Sequence, residues 1–117
     1  MTRRPEQQVQ RAVIQHLAWW PRPGVWWTHI SLGGLRSKVE AAILRGLGTA
    51  RGTLDVLIVA DGKARLLELS ARSHVTFEQR GCNGALRAAG ATVAVATGVD
   101  AAIAQLKDWG LLKGRTP

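Results

Sequence analysis

The chain contains one cysteine, one phenylalanine, one methionine and no tyrosine. A lone Cys82 excludes an internal disulfide and cannot build a cysteine-based zinc site unaided. No partner in sequence marks it as a nucleophile. Acidic residues are few, 8 against 16 Lys and Arg, which leaves a formal net charge of +8. Long apolar runs are missing too. Nothing approaches the roughly 18 to 20 residues that a membrane span needs. The opening MTRRPEQQ has basic residues without the apolar stretch of a signal peptide. A cytoplasmic protein with no membrane partner is therefore expected. Neither Gly-x-x-x-x-Gly-Lys-Ser/Thr nor Gly-x-Gly-x-x-Gly occurs, so nucleotide-cofactor chemistry has no motif to stand on. The three histidines, His16, His29 and His74, are dispersed and read as ordinary residues rather than zinc ligands, although His74 lies close to Ser70.

What is present suits a single domain covering residues 1–117. At 117 residues and 46% hydrophobic composition, the chain can form one compact core. The basic excess favours a polyanionic partner, nucleic acid before an acidic membrane surface. Five tryptophans are many for this length, and four of them lie in WWPRPGVWW, residues 19–27. They are expected to pack the core.

Taken in order, residues 5–20 read as a helix, with Val9, Val13, Leu17 and Trp20 at helical spacing. Glu6 lies on the same stripe, which points it toward the interior or a cleft. Val25–Ile30 reads as a strand. Ser37-Lys38-Val39-Glu40 matches a capping box and opens a helix with Val39, Ile43 and Leu47 on one face. Leu54–Ala60 is apolar apart from Asp55, as in a central strand covered on both faces. Asp61-Gly62 signals a tight hairpin, and Ala64–Ser70 is the partner strand. Thr76-Phe77-Glu78-Gln79 opens another helix, Ala91–Thr97 a fourth strand, and Asp100 caps a last helix. The order α-β-α-β-β-α-β-α implies an α/β fold: a four-stranded mixed sheet flanked by helices.

Asp55 begins one strand of the hairpin and Glu68 lies late in the other. Two acids meeting at one sheet end repel unless a cation, a basic partner or water intervenes. A metal site and a pair of solvent-facing structural acids fit this spacing about equally.

The ordered motifs around these acids are more specific. They are Glu6; Gly33-Gly34 with Arg36-Ser37-Lys38-Val39-Glu40-Ala41-Ala42; Leu44-Arg45-Gly46-Leu47-Gly48; Arg51-Gly52-Thr53-Leu54-Asp55; Leu67-Glu68-Leu69-Ser70; and Thr76-Phe77-Glu78-Gln79-Arg80, with Ala88 to Ala91 and Val93 to Ala96 after them. From Glu6 to about Gly110 the chain resembles the VRR-NUC (virus-type replication-repair nuclease) family of the PD-(D/E)XK nucleases, with their restriction-endonuclease-like core. The resemblance implies Mg²⁺ or Mn²⁺ held by Asp55, Glu68 and the carbonyl of Leu69, with Glu6 supporting a metal or its water. It also places Gln79 among the catalytic residues, although the capping box accounts for Gln79 equally well. The implied reaction is attack of water on a DNA phosphodiester, in line with the departing 3′ oxygen, helped by the divalent ion.

One position departs at the centre. The family has Glu-x-Lys where this chain has Glu68-Leu69-Ser70. The lysine orients the attacking water and stabilises developing charge, and a short neutral serine is a poor substitute. The chain is an engineered inactive variant, a natural binding protein derived from a nuclease, or an enzyme in which Lys38, Lys63 or Arg72 reaches the site instead. The first is favoured, because the other motif elements are intact. Leu54 in place of the usual proline is a minor departure affecting backbone shape.

Arg36, Lys38, Arg45, Arg51, Lys63, Arg72 and Arg80 flank the motifs and are expected to contact DNA phosphates. The resulting expectation is a structure-selective DNA endonuclease, a homodimer resembling phage Holliday-junction resolvases, acting on branched DNA in a bacterial or phage-infected cell. The alternative is a catalytically silent DNA-binding module. A third is a plain interaction domain with structural acids.

Overall fold

Helix α1 spans Pro5–Trp19. Proline suits a first helical turn, where its missing N–H is not needed, and Val9, Val13 and Leu17, four residues apart, are all buried. Pro21, Pro23 and Gly24 (φ +87°) end the helix and turn the chain into β1, Trp26–His29. Next come α2 (Lys38–Gly46), β2 (Val56–Ala60), β3 (Lys63–Ser70), α3 (Phe77–Ala88), β4 (Thr92–Thr97) and α4 (Val99–Asp108). This computed structural model describes residues 5–30, 38–47, 55–70 and 77–114.

The four strands form one mixed sheet in the order β1-β2-β3-β4. β1–β2 and β2–β3 are antiparallel, while β3–β4 is parallel. The β2–β3 hairpin turns on Asp61 (φ 56°) and Gly62 (φ 74°). Two successive left-handed residues make the type I′ geometry whose twist matches the strands it joins. The parallel β3–β4 pair requires a crossover, and α3 supplies it.

The two sheet faces are unequal. On one, α1 and α4 cover Val56, Ile58, Leu67, Leu69 and Ala96, forming the main core with Val13, Leu17, Ile103, Leu106 and Leu111. On the other, a small cluster of Leu66 and Val93 packs against Leu86, Leu57, Ile30 and Ala91. Backbone bonds also join distant parts of the chain beside the main core. Arg22 N–H donates to Leu111 O at 2.8 Å, and Lys113 N–H donates to Trp20 O at 3.0 Å.

Four expectations need correction. The tryptophans pack the core only in part: Trp27 and Trp109 are half-buried against it, whereas Trp19 is 61% and Trp26 58% exposed. Trp19 and Trp20 instead meet edge to face with centroids 5.5 Å apart. β2 is not covered on both faces, because Val59 is exposed and burial alternates along the strand. Asp100 does not cap α4; Gly98 holds that position with no side-chain cap, and Asp100 sits in the first turn. The apolar stripe of α2 faces outward, with Val39, Ile43 and Leu47 all exposed. No helix among the described residues is long and apolar enough to cross a membrane.

Candidate functional site

Asp55 lies where β2 leaves its regular ladder with β3. The register pairs Val56 with Leu67, so continuing it would set Asp55 opposite Glu68. Instead Asp55 N–H donates to Leu67 O at 3.1 Å. Its side chain reaches the other flank of Glu68, where Leu69 N–H donates to Asp55 Oδ2 at 2.7 Å. Asp55 thus grips the backbone on both sides of Glu68. On the β1 side one further bond is made, Ile30 N–H donating to Asp55 O at 2.8 Å.

Glu68 is only 6% exposed. Side chains alternate along β3. Leu67 and Leu69 enter the main core and Leu66 the smaller cluster, so Glu68 lies on the smaller cluster's face, toward α3. The Asp55 carboxyl is raised above its ordinary value by burial, partly offset by the Leu69 hydrogen bond and the nearby His29. Burial disfavours the charged form because protein solvates an anion less well than water. Two acids on neighbouring strands, both largely withdrawn from water, suit a site that holds a cation.

The donor set fits a hard divalent ion. Asp55 and Glu68 offer only oxygen ligands, the preference of Mg²⁺, which also keeps several waters. With Oδ2 engaged by Leu69 N–H, Asp55 Oδ1 remains as a ligand atom. Among the described residues no third His, Cys, Asp or Glu joins them. Glu6 lies in the first turn of α1, and its side chain is outside the described residues, as are those of Ser70 and Gln79. Ser70 ends β3 beside Thr97 of β4, and Gln79 lies in the first turn of α3. For Leu69 the described contact is through its N–H.

The basic residues divide. Arg80 is exposed on α3, and Lys63 is exposed at the start of β3. Lys63 lies seven residues before Ser70, roughly 23 Å along an extended strand. It therefore cannot stand in for the missing lysine, and any phosphate it contacts lies at the far end of the sheet. Lys38 and Arg45 belong to α2, but their side chains lie outside the described residues, as do Arg36, Arg51, Arg72 and His74 entirely.

Two further groups were not picked out from the sequence. His29, at the end of β1, acts electrostatically on Asp55. Asn83 is buried on α3. Its signal was available, since Gln79, Asn83 and Leu86 share one helical face at positions i, i+4 and i+7. His16, by contrast, is structural: Nδ1 bonds Ala12 O at 2.8 Å, and the ring packs on Trp20 at 5.1 Å. Cys82 is a free, half-buried thiol.

No family model and no curated protein matches this chain. Among solved structures, a protein described as "VRR_NUC domain protein" superposes with a TM-score of 0.72, covering 93% of this chain and 90% of that one at 19% sequence identity. At that identity the shared property is the fold: the chain has the architecture of a VRR-NUC domain, the family that its motifs resemble.

Proposed function

We propose that the protein is a metal-dependent DNA endonuclease whose reaction centre is the Asp55–Glu68 pair. The observation that carries this reading is the way Asp55 brackets the backbone of Glu68, setting two acids partly out of water at one end of the β2–β3 hairpin. The VRR-NUC fold supports it, as does the net charge of +8, which suits a phosphate backbone. A divalent ion bound there would neutralise phosphate charge and activate water. The chain's own part is to hold two oxygen ligands at a fixed spacing. The Leu69 N–H fixes one oxygen of Asp55, and burial fixes Glu68. We further read the substrate as branched DNA and the working unit as a homodimer, because a two-fold dimer would match the symmetry of a four-way junction.

Ser70 favours a second reading, a silent DNA-binding module. With serine where the family has lysine, ion and DNA binding would persist while the chemical step slows by orders of magnitude. One experiment separates the two. The protein and its Ser70→Lys variant are incubated with linear and four-way-junction DNA in Mn²⁺. Nicking by either, lost in Asp55→Asn, supports the enzyme. Retardation of DNA without nicking by either leaves the binding module.

A further inference from the structure

Asn83 is 4% exposed, and its Oδ1 is buried without a hydrogen-bond partner among the described residues. An amide oxygen left unpaired in the interior destabilises the fold, so its retention calls for a reason. Its place in the fold suggests one. β3 and β4 run parallel, so α3, which connects them and packs on β4, runs back antiparallel to both. Leu86 of α3 packs on Leu66 and Val93. One helical step back, Asn83 lies about 4.5 Å further along the helix. In the same direction, Glu68 lies about 6.6 Å beyond Leu66 on the same strand face. The buried amide and the buried carboxylate therefore lie at about the same level on the same face of the sheet.

We propose that Asn83 is a positioning residue of the acid site: its Oδ1 accepts a hydrogen bond from a water belonging to the divalent ion held by Asp55 and Glu68. This rests on the reading of that pair as a metal site. A water polarised by a dication is a strong donor, and an amide oxygen is a neutral acceptor that holds it without adding charge. Groups in this outer position orient ion and ligands, and their loss typically weakens metal affinity about 10- to 100-fold.

The test is Mn²⁺ titration by calorimetry together with thermal melts in chelator, on the wild type, Asn83→Ala, Asn83→Asp and Asp55→Asn. Asn83→Ala removes the orphaned oxygen, so its melting temperature in chelator should equal or exceed that of the wild type while Mn²⁺ binds about 10- to 100-fold more weakly. Asn83→Asp keeps an oxygen and adds a buried charge, so it should melt lower in chelator yet bind Mn²⁺ at least as tightly. A purely structural asparagine gives another pattern, lower melting for Asn83→Ala with unchanged Mn²⁺ affinity, and that result overturns the proposal. Tight Mn²⁺ binding by wild type and Asn83→Ala alike, lost only in Asp55→Asn, overturns the role of Asn83 and leaves the metal site standing. No Mn²⁺ binding by the wild type, or binding unaffected in Asp55→Asn, overturns both.

Discussion

Replacing Asp55 by alanine and by asparagine should move stability in opposite directions. The Asp55 carboxylate accepts the Leu69 N–H at 2.7 Å, and Leu69 is buried. Alanine leaves that N–H without its acceptor, which costs about 1–3 kcal/mol. For a domain of this size each kcal/mol shifts the melting temperature by roughly 3–6 °C, so the alanine variant should melt about 3–18 °C lower. Asparagine keeps an oxygen for the N–H and removes a partly buried charge. Without divalent ions at neutral pH it should melt at or above the wild type. The pH dependence follows from the direction of the shift. Burial raises the folded-state value of Asp55 above 3.8, against the opposing pull of Leu69 and His29. The folded protein then binds this proton more tightly than the unfolded chain does. The favourable contribution is complete below the unfolded value and is lost as pH rises through the folded one. The advantage of Asp55→Asn over the wild type should therefore grow from about pH 4 toward neutrality. Saturating Mg²⁺ should reverse the order, since a ligand at one hundred times its Kd stabilises by about 2.7 kcal/mol and the variant lacks the charge to hold it. Melts followed by circular dichroism from pH 4 to 8, with chelator and with Mg²⁺, measure all of this. An asparagine variant as unstable as the alanine one, or an advantage that shrinks with rising pH, refutes the reasoning.

Three further outcomes are expected. Ile58→Ala, at a fully buried position of β2, should cost about 2–5 kcal/mol by denaturant unfolding; a loss below 1 kcal/mol would mean that the core collapses around the gap. Gly62→Ala should cost about 1–2 kcal/mol through backbone strain alone, because Gly62 has φ +74° while a Cβ there would meet nothing within 4 Å; an unchanged unfolding midpoint would contradict the assigned turn. DNA affinity, measured by fluorescence anisotropy, should fall by about 0.9 log units per tenfold rise in salt for each phosphate neutralised; affinity flat with salt would exclude the basic surface as the contact.

Much of the fold was legible because its signals are local. The Asp61-Gly62 pair specifies its own turn, and the four-residue spacing of Val9, Val13 and Leu17 specifies the buried stripe of α1. The two acids were legible because charge is rare in apolar strands. What escaped depends on which elements meet in space. Whether Trp26 or Val59 is covered depends on how far α3 extends over its sheet face, and composition carries no record of that. The apolar stripe of α2 has the period of a core helix but faces outward. Asn83 looks like any helix polar residue until the packing of α3 on the sheet shows it to be buried.

The backbone bonds that tie residues 20–22 to residues 111–113 have a consequence for the order in which the chain is made. Leu17 leaves the ribosome early, whereas Leu106 and Leu111, which share its core, come roughly ninety residues later. At about 5–20 residues per second that delay is roughly 5–18 s. Hairpin formation takes microseconds, so β2 and β3 can pair as soon as they emerge. The apolar side of α1 must wait for the last helix. During that interval the nascent chain carries a finished hairpin and an uncovered greasy helix, the kind of surface that chaperones hold. A chain stopped before residue 100 would keep the acids but never close its main core.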